Sequence, residues 1–137
     1  MKKILVALDG SKSSTRALRN AIGLAKQTQS SITGITVVQA FPTELGTIRK
    51  IIGKALTKRN KNFLASAKIM CAKDDVKFFD VIEFGEEGST IVSFAQKNNF
   101  DLIVIGSRGM SKIGEMFLGS TSSHVVHSSK IPVLVVK

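Results

Sequence analysis

Short, nearly unbroken apolar runs recur along this chain, each stopped by small or polar residues, and they limit the possible folds more than any other feature. Lys3–Leu8 reads KILVAL, Ser31–Val38 reads SITGITVV, Asp101–Ile105 reads DLIVI and Val133–Val136 reads VLVV. A strand with one wet face alternates polar and apolar residues, whereas a strand apolar throughout is buried on both faces. Val76–Phe84 (VKFFDVIEF) reads as a further, more mixed strand. Between the runs the apolar residues take helical spacing. A cap at Ser11 or Ser13 opens a helix to about Thr28, with Ala17, Leu18, Ala21, Ile22, Leu24 and Ala25 on its stripe. Pro42 precedes a long helix to about Lys73 that carries Ile48, Ile51, Ile52, Leu56, Phe63, Leu64, Ala67 and Met70. Gly53 costs that helix about 1 kcal/mol relative to alanine and is a candidate kink. Ser89 or the acidic pair Glu86-Glu87 opens a helix to about Lys97, and Gly119-Ser120 opens the last, to about Ser128.

The order is therefore β-α-β-α-β-α-β-α-β. Strands alternating with helices at this spacing predict an α/β fold with a parallel sheet, helices on both faces and right-handed crossovers. With 137 residues, 43% of them hydrophobic, the chain is expected to be one domain over 1–137, able to bury a core without disulfides or a metal. Its lone cysteine, Cys71, forms no intramolecular disulfide and reads as a structural thiol, since no His or Asp constellation supports a nucleophile. The run Ile4–Leu8 is too short for a signal-peptide core, and no stretch approaches the ~18–20 apolar residues of a membrane span. The expectation is a cytoplasmic protein with no membrane partner.

The formal net charge of +10 invites polyanions. Against nucleic acid stand the absence of Trp and Tyr and eight Phe residues outside any RNP-type pattern, which weaken the case for a stacking-based single-strand binder. The basic set Arg49, Lys50, Lys54, Lys58, Arg59, Lys61 and Lys68 reads first as a solvated helix face. A nucleic-acid role is not excluded by the charge, and would show steeply salt-dependent binding.

In open parallel sheets ligands bind beyond the carboxyl ends of the strands, where strand order reverses. Two such ends carry unusual residues: Asp9-Gly10-Ser11 after the first strand and Gly106-Ser107-Arg108-Gly109 after the fourth. If those strands are neighbours, the two segments face one crevice. The second continues over nine residues to Gly119-Ser120-Thr121-Ser122. Glycines there permit close backbone approach, successive N–H groups form an anion nest, and the start of a helix favours negative charge. Ser120 and Ser122 add hydroxyls and Arg108 adds charge. The P-loop does not fit, because Glu115-Met116 follows Gly114 where Lys and Ser/Thr are needed, and G-x-G-x-x-G is absent. Nothing in the loop is an evident general base or water-positioning residue, so the segment reads as a binding device before a catalyst.

Other polar residues have plain readings. Asp9 is either a pocket residue or the cap of the first helix. His124 and His127 share a helix face without further metal ligands nearby. Glu86-Glu87 favours a helix N-terminus electrostatically.

The spacing Gly106-x2-Gly109-x9-Gly119-Ser120, with KILVALDGS at the start, DLIVIGSRG before the loop and LGSTSSHVVHSSKIPVLVVK at the end, resembles the universal stress protein family in its ATP-binding branch. That resemblance spans the whole chain. It implies a Rossmann-like three-layer α/β/α fold with a five-stranded parallel sheet in the order 3-2-1-4-5. It also implies a homodimer formed through the C-terminal strand, 132–136. By residue, Ala7, Leu8 and Asp9 match the segment lining the adenosine pocket. Val37 matches the residue whose backbone reads adenine, with Val38 as the one-residue alternative. Ile105 and Gly106 would contact the ribose or adenine side, Arg108 and Gly109 would approach the phosphates, and Gly119, Ser120, Thr121 and Ser122 would hold them. The implied role is a nucleotide-dependent stress or signalling module with ATP as ligand and room for Mg²⁺ or Mn²⁺. A slow ATPase, a basic nucleic-acid binder and a sensor of another adenine nucleotide (ADP, AMP or a cyclic form) remain the alternatives.

Overall fold

The computed structural model describes residues 1–39, 46–108 and 118–137, the side chains of 46–57 excepted. Its elements run β1 (Lys3–Ala7), α1 (Lys12–Thr28), β2 (Ser31–Val38), α2 (Gly46–Lys73), β3 (Phe78–Phe84), α3 (Glu87–Lys97), β4 (Leu102–Gly106), α4 (Ser120–Ser128) and β5 (Val133–Val136). The strands form one parallel sheet ordered β3-β2-β1-β4-β5, as the alternation and the resemblance led us to expect.

The apolar runs are continuous because each strand feeds two cores. In β1, Ile4 and Val6, followed by Leu8, point to a core with Ala17, Leu18 and Ala21 of α1 and Leu64, Ala67 and Cys71 of α2. Leu5 points the other way, to Ile91, Val92 and Ala95 of α3 and Val125 of α4. In β4, Leu102 and Val104 join the first core, Ile103 and Ile105 the second. Ile4, Leu5, Val6, Ile103 and Val104 are wholly buried, each contributing about 1.5–3 kcal/mol of transfer free energy.

Ser11 caps α1, its hydroxyl oxygen accepting from the Ser14 N–H at 3.1 Å. Asp9 is therefore not the cap; its Oδ1 accepts from the Ser11 N–H at 2.9 Å and braces the turn into the helix. α2 runs unbroken through position 53. Two strand starts differ from the sequence reading. β3 starts at Phe78 because Val76 belongs to the end of α2: its N–H donates to the Cys71 carbonyl at 3.0 Å, after a left-handed Asp75. β4 starts one residue late because Asp101 faces the start of β1, its carboxylate accepting from the Lys2 and Lys3 N–H groups at 2.8 and 2.9 Å. Those two bonds hold the Asp101 carboxyl below the ordinary range.

Cys71 is fully buried, and desolvation, with a smaller push from Asp74, raises its thiol to about 11. It is neutral and structural. Among the described residues no helix is long and apolar enough to cross a membrane.

Candidate functional site

After β1 the chain turns into α1 on one face of the sheet, and β4 leads to α4 on the other. β1 and β4 are neighbours, with Val6 opposite Val104, so a gap opens beyond their carboxyl ends. It is a cleft of about 750 Å³, within the usual range for small-molecule sites. Its floor is Ala7, Leu8 and Asp9 from the end of β1 with Ile105 and Gly106 from the end of β4. Val37 and Val38 line the side toward β2. Arg108, Gly119, Ser120, Thr121 and Ser122 line the side toward α4. Every sequence-predicted site residue that the structure describes thus borders one cavity; Gly109 lies outside the described residues.

The main chain of β2 separates the two valines. Ile35 turns its carbonyl toward β1, where the Leu8 N–H donates at 2.9 Å, whereas Val38 turns its carbonyl away, to the Gly85 N–H at 2.9 Å. Val37, two residues beyond Ile35, faces the side on which β1 has stopped at Ala7. Of the pair, Val37 has its main-chain edge toward the cleft.

α4 is anchored by one acceptor. The Ser107 carbonyl takes the Gly119 N–H at 2.7 Å and the Ser122 hydroxyl at 3.1 Å. Ser122 is accordingly buried, and its hydroxyl is already engaged within the protein. The Thr121 hydroxyl is also engaged, donating to Glu87 Oε2 at 2.7 Å. Ser120 is exposed and its hydroxyl has no partner among the described residues. Helices α1 and α3 have side-chain caps, Ser11 and Glu86; α4 starts at Gly119 with none. The first-turn N–H groups of α4 therefore meet the cleft without a protein acceptor from the cap, where a helix end most favours an anion.

The cleft also gathers residues that sequence reasoning did not assign to it. Glu86, Glu87 and His124 come from the starts of α3 and α4, and Gln39, Arg59 and Asn60 from beyond β2 and from α2. From sequence Arg59 is one of a run of basic residues read first as a solvated helix face. Among the described residues no three His, Cys, Asp or Glu side chains gather to hold a metal.

Glu86 caps α3 with its carboxylate, accepting from the Ser89 hydroxyl at 2.5 Å and the Ser89 and Gly88 N–H groups at 2.9 and 3.1 Å. The Ser89 bonds come first in holding its carboxyl below the ordinary glutamate range, and nearby His124 adds to them. A lowered folded value means the stabilisation is complete above the unfolded glutamate range and is lost as pH falls from there through the lower folded value. We expect Glu86→Ala to cost about 1 kcal/mol at neutral pH, the worth of a helix cap. Thermal melts over a pH series should show the difference from wild type shrinking as pH falls below about 4.

The geometry coincides with a sequence match over the full chain. A model of the Universal stress protein family matches residues 1–137. The chain belongs to the universal stress protein family. It is 36% identical over 152 residues to Universal stress protein YxiE of Bacillus subtilis, covering 98% of both chains. Among solved structures it is similar to universal stress protein UspA from Lactobacillus plantarum, with TM-score 0.93 and 26% identity over 99% of this chain and 97% of that one. It is also similar to a universal stress protein in complex with cAMP, with TM-score 0.72 and 25% identity over 99% of this chain and 96% of that one. In this universal stress protein the cleft lies where a doubly wound sheet places its ligand.

Proposed function

We propose that this universal stress protein binds an adenine nucleotide, ATP foremost, in the cleft between β1 and β4, and acts in the cytoplasm as a nucleotide-sensing module. The observation that carries this reading is the uncapped start of α4 inside the cleft. Phosphates there take the first-turn N–H groups and the Ser120 hydroxyl, with the Arg108 charge close by. Ala7, Leu8 and Ile105 supply apolar wall for the nucleoside, and the free edge of Val37 supplies main-chain groups at the far end. A relative's complex with cAMP supports the adenine base. A divalent ion such as Mg²⁺ or Mn²⁺ would take its ligands mainly from the phosphates and water, with Asp9 one of the carboxylates that line the cleft. We read the cleft as a binding device rather than a catalyst. β5 is an edge strand with Leu134 exposed, which suits pairing with a second copy into a homodimer.

Calorimetric titration with ATP and Mg²⁺ tests the reading. The expected result is saturable binding at one nucleotide per chain. A melting temperature that rises with ATP should accompany it, by about 2.7 kcal/mol of added stability at a hundredfold excess over Kd. No heat and no melting shift at millimolar ATP would sink it.

A further inference from the structure

The inward stripe of α2 contains one polar member. Asn60, Leu64, Ala67 and Cys71 follow one another at helical spacing and all are buried, Asn60 to 8% exposure. Leu64, Ala67 and Cys71 pack in the core beneath the sheet. One turn earlier the stripe reaches the cleft, and there the residue is an asparagine. A buried amide without a partner is costly, so a residue of this kind is ordinarily hydrogen-bonded. No hydrogen bond among the described residues uses the Asn60 amide. Yet no side-chain polar atom sealed from solvent lacks a partner among those residues. The amide is therefore the part of Asn60 that opens to the cleft. It stands with Val37 and Gln39 on the side toward β2, across from the α4 start where the phosphates are placed.

We propose that Asn60 reads the base: its amide pairs with the edge of adenine that carries the 6-amino group beside a ring nitrogen. An asparagine amide presents an acceptor next to a donor, and adenine presents the complementary donor next to an acceptor. Guanine shows two acceptors on its O6/N7 edge and does not match there. The pairing supplies the amide with the partner it lacks among the described residues, and it makes α2 a wall of the site. This inference rests on the nucleotide reading above.

The test compares ATP with purine riboside 5′-triphosphate, which lacks only the 6-amino group, on wild type and Asn60→Leu. Leucine continues the apolar stripe, so the variant is expected to melt above wild type when no ligand is present. Calorimetry should show wild type preferring ATP by about tenfold, the worth of a hydrogen bond that would otherwise leave a buried amide unpaired. Asn60→Leu should bind ATP about tenfold more weakly and lose the preference. A variant that keeps the preference, or binds ATP as tightly as wild type, overturns the assignment. So does one that melts below wild type, because the amide then serves the fold. Wild-type protein that binds both triphosphates equally overturns this inference alone; wild-type protein that binds neither overturns the nucleotide reading beneath it.

Discussion

Gly106→Ala is expected to cost about 3 kcal/mol of folding stability, at the upper end of what one added methyl inflicts on a packed interior. Gly106 is buried at the end of β4 where α1 begins, and an alanine Cβ there would stand 2.8 Å from the Ser13 carbonyl oxygen and 2.9 Å from its carbon, with the Ser13 hydroxyl nearer still. The obstacle is main chain, held by the first turn of α1, and it has no rotamer to escape into. Relief requires α1 and β4 to move apart, which strains the packing of Ala17 and Leu18 on the sheet. Gly23 is the control. It lies exposed inside α1 with nothing within 4 Å of where its Cβ would be, so Gly23→Ala should add about 0.5–1 kcal/mol. Urea denaturation of both variants should move the midpoints in opposite directions at unchanged slope. A Gly106→Ala midpoint equal to wild type would show that α1 yields at Ser13. The same variant should also distort the cleft that Gly106 lines.

This packing sharpens part of the sequence reading. The glycines after β4 are expected to permit close backbone approach, and the described ones, Gly106 and Gly119, do so without positive φ. Gly106 is small because Ser13 leaves no room, a long-range contact that local spacing does not reveal. The sheet was legible because its central strands are buried on both faces. Ile4, Leu5 and Val6 needed no alternation to be recognised, and their two cores follow from strand geometry. Edges were harder to place. Val76 is an apolar residue closing a helix and looks from sequence like the start of a strand. The floor of the cleft and the start of α4 were legible because they come from short segments beside glycines. The rest of the lining was not, because Arg59, Asn60 and His124 enter the cleft only once α2 and α4 pack on the sheet. Asn60 did leave a trace: counted back four residues from Leu64, it is the polar interruption of an apolar stripe.

Ser120→Glu should weaken ATP binding by about a hundredfold or more. A carboxylate about 4 Å from a phosphate charge meets a repulsion near 4 kcal/mol at an effective dielectric of about 20, before salt screens it. The same carboxylate also occupies the first turn of α4, where it competes for the N–H groups that the phosphates need. The effect on the fold has the opposite sign. Negative charge at a helix start stabilises it by about 0.3–1 kcal/mol, trimmed here by Glu87 beside Thr121. Ser128→Glu, at the exposed last residue of α4, is the mirror case. It should destabilise the helix slightly and leave ATP binding alone. Paired melts and titrations of the two variants thus separate a binding role from a folding role. A fall in affinity with no fall in melting temperature for Ser120→Glu places the phosphates on α4. An unchanged affinity would remove them from it and with them the central argument for a nucleotide in this cleft.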